Sequence, residues 1–550
     1  MSVMRWLRTV RYLRPVQIYG RLWFSLYRPA PDLSSAPPQR AHLGDWIKPP
    51  QHRASLLRPW RFCFLNEEHD LDGANGWDNP KHSKLWRYNL HYFDDLNAPA
   101  DAQRHVWHGE LLLRWLCENP PAQSIGWESY PTSLRIVNWI KWSLAGNTFP
   151  EQCVHSLAIQ ARWLSKRLEV HLLGNHLFSN AKALIFAGLF FEGEEADRWL
   201  DKGLSILAKE IPEQILKDGG QFESSPMYHA LALEDMLDLC NVLSVYAEAV
   251  PEKWRPMIAG WPEIVAGMRR WLAAMCHPDG EIGFFNDAAI SVAPSLAVLE
   301  QYVARLGEPA VSPISGAVTL LDSSGYIRVK KLNVVALLDV APVGPDYLPA
   351  HAHADTLSFE LNLFGQRVFV NSGTSCYGQS EERQRQRGTA AHNTVMVNGK
   401  NSSEVWAGFR VGRRAYPSIE EVREEGPEVV VVASHNGYHW LPGKNQHKRV
   451  WRFDIDSVLI NDEITGAFQS GEARFHLHPD VELEHCSENS RVVLCLPLGQ
   501  RVELSVEEGA LRVEPSSWHP QFGVSVPSAC VVVDFRGSVV KTKISWGHGA

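Results

Sequence analysis

Two histidines separated by one alanine, His351 and His353, open the stretch HAHADTLSFELNLFGQRVFVNSGTSCYG, and a third, His392, follows in RGTAAHNTV. On a strand, a period of two sets both imidazoles of the first pair on one face. The alternation of Leu357, Phe359, Leu361 and Leu363 with Ser358, Glu360 and Asn362 favours a strand there. A turn at Phe364-Gly365-Gln366 leads to a second strand ending at Asn371. Imidazoles carried on hairpin strands can converge on one pocket, to move protons or to hold a metal. An isolated HxH is equally compatible with two polar residues on a solvated face.

Three further polar clusters interrupt apolar helical patterns. In GWESYPTSLRIVNWIKW, Arg135 and Asn138 lie three apart and share a helix face, with Trp127 and Trp139 as stacking surfaces. Arginine grips a carboxylate or sulfate with two prongs, although Arg135 could equally close an ion pair with Glu128. In LLGNHLFSNAKAL, Asn175, His176 and Asn180 begin an otherwise apolar helix. Asn175 has the residue type of an N-cap. In DGGQFESSPMYHALALEDM, Pro226 opens a helix that carries Tyr228 and His229 in its first turn, behind a glycine loop permitting close backbone approach.

The elements that must position these residues fall into two kinds. From Ala102 to Ala310 helical periodicity predicts helices over 103–117, 133–145, 151–169, 176–191, 194–209, 227–249, 253–275 and 294–306. Their pairing suggests a toroid or solenoid of helical hairpins. After Gly316 about a dozen short alternating runs follow without helices between them, which reads as a large antiparallel β-sandwich. The expected fold class is α+β: an N-terminal helical (α/α) toroid followed by a C-terminal antiparallel β-sandwich. The expected domains are 1–100, a basic helix and irregular aromatic lead-in; 101–312, the toroid; and 313–550, the sandwich.

Composition narrows the function. A net charge of −8 gives no basis for nucleic-acid binding, so an anionic ligand needs a local basic patch. Twenty-one tryptophans fit stacking on sugar rings. Nine scattered cysteines without CxxC exclude a zinc ribbon and a full disulfide framework. The longest apolar run, Ala183 to Phe191, is too short for a bilayer. The N-terminus carries arginines at 5, 8, 11, 14, 21 and 28 and no acid before Asp32, but not the uninterrupted apolar core of a secretory signal. A basic amphipathic helix of this kind can lie on an anionic membrane or dock on a partner; the plainer reading is the first helix of a domain. A cytoplasmic or inner-membrane-associated location is the expectation, with the periplasm as the alternative.

Taken together, GNHLFSNAKAL, GGQFxExSPMYH, HxHADxLSFEL, NSGTSCYG and RGTAAHNTVxVNGKNSSEVWAGFRVGRRA resemble the heparinase II/III-like polysaccharide lyase family over most of the chain. The resemblance implies a toroid followed by a sandwich, and β-elimination on a uronic-acid-containing polysaccharide. It implies that Asn175, with His176 beside it, neutralises the substrate carboxylate, and that Tyr228 and His351 share the proton traffic. It also implies a structural divalent cation, zinc or a similar ion, on His353 and His392, with no organic cofactor. Members often carry an acid at the position of Asn371; an amide is a poorer ligand. Trp127, Arg135, Asn138, Glu223 and Arg410 are the candidate substrate-binding residues, Arg410 standing close to Arg413 and Arg414.

Two other classes share parts of this pattern. A glycoside hydrolase needs paired carboxylates ~5–10 Å apart, with Glu128, Asp218, Glu223 and Glu360 as candidates. A non-catalytic polysaccharide-binding or assembly factor of capsule or exopolysaccharide synthesis would keep the tryptophan-rich cleft and form no product.

Overall fold

The computed structural model describes residues 3–41, 44–312, 314–484 and 490–547. Cys486 and Pro313, the expected first residue of the sandwich, lie outside them; the described cysteines are all free thiols.

Most helices form where the apolar spacing places them, but the helix expected over 253–275 is broken at Gly260 into Arg255–Ala259 and Trp261–Ala274. Ala102–Glu118 begins at Asp101, whose carboxylate accepts from the Arg104 N–H at 2.9 Å. Ser129–Leu144 starts one turn earlier than the Pro-Thr-Ser signal suggests, because Pro131 sits in the first turn, where a missing N–H costs nothing. Gly174–Phe190 is apolar on nearly every side and buried accordingly, with Glu194–Gln214 and Ser129–Leu144 packed around it. Pro226–Val245, Trp261–Ala274 and Leu296–Arg305 continue the helical region. Its core includes Trp115, Trp139 and Leu184, all fully buried.

The lead-in, expected to be irregular, contains a three-stranded antiparallel sheet (Leu56–Arg58, Arg61–Phe64, Glu67–Asp70) and a helix, Lys84–Tyr92, capped by Ser83. Its strands of three or four residues are too short to show a period. Ahead of it lie α1 (Val3–Val10) and α2 (Pro15–Leu26). These dock on the rest of the chain: Arg5 and Arg8 meet Glu404, and Arg14 meets Glu213. Among the described residues no helix is long and apolar enough to cross a membrane.

The sheets follow. A five-stranded meander runs from Val318–Leu321 to Gln366–Phe369. An eight-stranded sheet has Pro417–Glu425 and Glu482–Glu484 at its edges, and a four-stranded sheet is built around Val526–Phe535 and Gly471–His476. All named strand pairs are antiparallel, with registers such as Val431 opposite Trp451 and Trp451 opposite Ile460. Inward residues of all three sheets, among them Leu361, Trp451 and Phe475, share one core.

Candidate active site

The HxH segment is not a strand. His351 to Leu357 forms turns, the strand begins only at Phe359, and Leu357 takes φ +62°, where strand geometry is broken. His392 ends a 3₁₀ turn. The imidazoles still converge, because one buried carboxylate collects them. Asp287 Oδ2 lies 2.9 Å from His351 Nδ1, and its Oδ1 lies 2.9 Å from His353 Nε2. Arg383 donates to both oxygens and Thr374 to one. Burial opposes the charge of Asp287, but Arg383 and the two histidines outweigh it and hold the carboxyl well below the usual range. An ionised Asp287 accepts only, so His351 carries a proton on Nδ1 and turns Nε2 toward the cleft. His351 Nε2 lies 3.6 Å from the Glu223 carboxylate.

Tyr228 packs against this imidazole, with ring centroids 3.9 Å apart and the ring planes tilted by 31°. Its helix is fixed by Ser225, whose Oγ accepts from the Tyr228 N–H at 3.2 Å and donates to the Asp287 carbonyl at 2.5 Å. The Tyr228 hydroxyl is 2.8 Å from that of Tyr377. Burial, then the neighbouring Tyr377 and Asp287, push the Tyr228 phenol well above its ordinary range, so at rest it keeps its proton.

Asn175 is no N-cap. Leu173 occupies the cap position, and Asn175 lies in the first turn of Gly174–Phe190, lining the cleft with no hydrogen bond among the described residues. His176 packs on Tyr130 and lies 3.2 Å from Glu169; burial disfavours its charge, but Glu169 outweighs that and raises its pKa. The backbone is strained where these loops meet. Leu173 (φ 63°, ψ −158°), Ser224 (φ 57°) and Asn286 (φ 56°) hold left-handed conformations next to the active elements. Each costs about 1–3 kcal/mol. Gly174 takes φ +54°, which favours glycine, and a Cβ there would meet the Leu348 Cδ2 at 2.5 Å and the Glu223 carboxylate at 3.1 Å.

These side chains share one cavity of ≈ 1420 Å³, walled by the helical region, the sandwich and the N-terminal helices. Asn175, His176, Glu223, Tyr228 and His351 line it, as do Asn138 and Arg410. The Asn138 amide is already engaged, donating to Tyr92 O at 3.0 Å and Asp94 at 2.6 Å.

Arg135 and Trp127 are corrected. Arg135 is fully buried away from the cleft. It donates to Gln160 at 2.9 Å and to the Gly126 carbonyl at 2.8 Å, over the Trp115 ring. Glu128, its supposed partner, instead holds Lys84 and Tyr88. Trp127 is buried, its indole N–H on the Asn119 carbonyl. Their shared helical region is right, but the arginine faces the toroid core, where backbone carbonyls replace water.

The metal set is corrected as well. The Asn371 amide donates to Phe284 O and Ser358 Oγ and accepts from the Asn393 N–H, bracing the sandwich. The acid beside the imidazoles is Asp355: ligand-type atoms of His353, Asp355 and His392 lie within 4.8 Å of one another, all buried. Asp355 stands two residues after His353 in HAHAD and is not among the candidates drawn from the sequence. Asp287, Tyr377 and Arg383 were missed altogether. Tyr377 lies in the NSGTSCYG motif already noted; Asp287 sits in an irregular loop, and Arg383 in the charge run EERQRQR.

Of the acids considered for hydrolysis, only Glu223 lines the cavity. Asp218 caps Ser324, and Glu360 is buried against His277 and the Asn371 N–H.

Comparison with known proteins covers both halves of the chain. Residues 125–306 match the family model "Heparinase II/III N-terminus", and 313–547 match "Heparinase II/III-like, C-terminal". A heparin-sulfate lyase from Bacteroides stercoris is 26% identical over 380 residues, 64% of this chain and 54% of that protein. The chain thus spans about half the length of that curated relative. A crystal structure of heparinase III superposes with TM-score 0.70 at 19% identity, covering 88% of this chain and 81% of the other. A heparan sulfate lyase mutant from Pedobacter heparinus gives TM-score 0.61 at 19% identity, over 97% and 88%.

Proposed function

As the chain belongs to the heparinase II/III-like family, we propose that it is a polysaccharide lyase cleaving a uronic-acid-containing polysaccharide by β-elimination. The carrying observation is the packing of Tyr228 against an imidazole that Asp287 orients, inside a cleft also lined by Asn175. The relatives' names, heparin-sulfate lyase, support an anionic substrate.

The residues divide the work by chemistry. A proton α to a carboxylate is barely acidic until the carboxylate charge is neutralised. The Asn175 amide, at the positive end of its helix, and His176 do this. His351, in its neutral form, takes the C5 hydrogen on Nε2. Tyr228, still protonated, delivers its proton to the departing glycosidic oxygen, and Tyr377 relays its replacement. Glu223 lies 3.6 Å from the imidazole Nε2 and faces the positive charge the ring carries once the proton has been taken.

His353, Asp355 and His392 would hold a divalent cation of zinc type, a set of nitrogen and oxygen donors suited to it. Such an ion would fix the loop that carries His351.

The test is a panel of uronic polysaccharides (heparan-type, chondroitin-type, alginate-type) assayed for unsaturated ends by ultraviolet absorbance. An absorbing product from at least one supports the reading; reducing ends without absorbance would mean hydrolysis, and binding without product an assembly factor.

A further inference from the structure

The two family-matched segments leave out α1 and α2, yet these helices form one wall of the cavity. α2 is seated on the loop that leads to Asn175. Gly20 lies against His171, where a Cβ would fall 3.0 Å from the His171 Cβ, and Phe24 packs on the His171 ring at 4.4 Å. Arg167 reaches back to the Phe24 and Tyr27 carbonyls. On the sandwich side, Arg8 and Arg5 tie α1 to Glu404. The strap is therefore latched to both halves, and Arg21, the residue after Gly20, opens onto the cavity.

Facing the same space is Arg410, adjacent to Phe409, whose ring touches both His351 and Tyr377. Neither Arg21 nor Arg410 has a carboxylate partner among the described residues. The acids within reach of this wall are taken: Asp346 by Arg414 and Tyr416, Glu404 by Arg5, Arg8 and Arg413. Partial burial, then the Arg410 charge, lowers the Arg21 pKa: two guanidinium groups face this wall with no carboxylate between them. In a chain of net charge −8 this is a local positive focus placed beside the reacting groups.

We propose that Arg21 and Arg410 form an anion subsite, built jointly by the N-terminal strap and the sandwich, that takes the carboxylate or sulfate of a sugar flanking the scissile bond. The site rests on the lyase reading only for the identity of its polymer. A bound anion relieves the repulsion between the two cations and accepts their charge-assisted hydrogen bonds. The strap is thus a substrate-binding element, and Arg21 and Arg410 set affinity rather than turnover.

The test is calorimetric binding to the Tyr228→Phe protein, which removes turnover from the measurement. Three hexasaccharides serve as probes: one of alternating glucuronate and N-acetylglucosamine, the same with its carboxyls reduced to alcohols, and a sulfated counterpart. Arg21→Gln and Arg410→Gln should each weaken an anionic probe by about tenfold and leave the reduced probe unchanged. Arg21→Lys and Arg410→Lys should retain most of the affinity and the native melting temperature. A response confined to the sulfated probe assigns the anion as a sulfate ester; one on both anionic probes assigns a carboxylate. Equal weakening on the reduced probe, unchanged anionic binding, or no anionic binding by the parent protein overturns the subsite. Absence of unsaturated product from the native protein would count against the lyase chemistry alone, since this measurement does not need turnover.

Discussion

His353 Nδ1 faces His392 Nε2 across 3.1 Å, and each ring has its proton elsewhere. The His353 proton lies on Nε2, toward Asp287, and that of His392 on Nδ1, toward the Gly388 carbonyl at 2.8 Å. Burial lowers both pKa values, that of His353 to about 4, so neither ring gains a second proton at neutral pH. Two lone pairs therefore point at one another beside the Asp355 carboxylate, an arrangement that a cation stabilises.

Purified protein should accordingly contain stoichiometric divalent metal. Chelation should lower its melting temperature, and Asp355→Asn or His392→Ala should lower metal content. Activity should fall by about 100-fold through displacement of His351 by ~1 Å. Metal-free protein whose melting temperature ignores chelators would leave the pair held by a shared proton instead.

The assignment of His351 as base and Tyr228 as acid separates on leaving-group ability. Tyr228→Phe should lose about 10²–10⁴-fold in kcat on the natural polymer. It should recover most of that on an oligosaccharide with an aryl or fluoride leaving group, which departs without a proton. His351→Ala should stay inactive on both. Recovery by the histidine variant, and not by the tyrosine variant, would reverse the roles.

Neutralisation of the substrate carboxylate is a separate step and gives a separate expectation. Asn175→Ala should lower kcat by about 10²–10³-fold, because the amide acts on charge that grows in the transition state. Its melting temperature should hardly move, since the Asn175 amide makes no hydrogen bond among the described residues.

How far the chain could be read depended on whether neighbours imposed a period. Long helices such as Ala102–Glu118 showed theirs, and central strands such as His447–Phe453 alternate cleanly between buried and half-buried positions. Pro417–Glu425 and Ala510–Trp518 did not. Both are edge strands without a single fully buried residue, so no buried face marks them. The pairing of Asn175, Tyr228 and His351 was legible through motifs. Their organiser, Asp287, was not, because one acid in a loop carries no periodic signal and matters only through contacts 64 and 96 residues away. The HxH was placed on a strand wrongly, yet its imidazoles share a side because Asp287, not a pleat, aligns them.

Arg135 illustrates the opposite error, a residue of binding type engaged in structure. Arg135→Ala should leave KM unchanged and cost about 3 kcal/mol in urea unfolding, since Gln160 and the Gly126 carbonyl lose a buried donor. A raised KM with native stability would return the arginine to the binding site.

The last expectation concerns pH and ties the lead-in to the toroid. His52 lies 3.1 Å from Glu234, on the cavity wall. Burial works against the His52 charge, but the Glu234 carboxylate outweighs it and raises the pKa from 6.5 to about 9. The folded state therefore holds this proton more tightly than the unfolded chain does. The resulting stability is complete below pH 6.5 and is lost as pH rises through about 9. For Glu234, burial opposes ionisation, yet His52 and Lys141 pull its pKa from 4.5 to about 2, so its contribution is present above pH 4.5 and disappears as pH falls toward 2. Urea midpoints measured from pH 6 to pH 10 should thus decline for the native protein and flatten for His52→Gln, with Glu234→Gln flattening the curve in the same window. Parallel declines in all three proteins would place the alkaline loss in other groups.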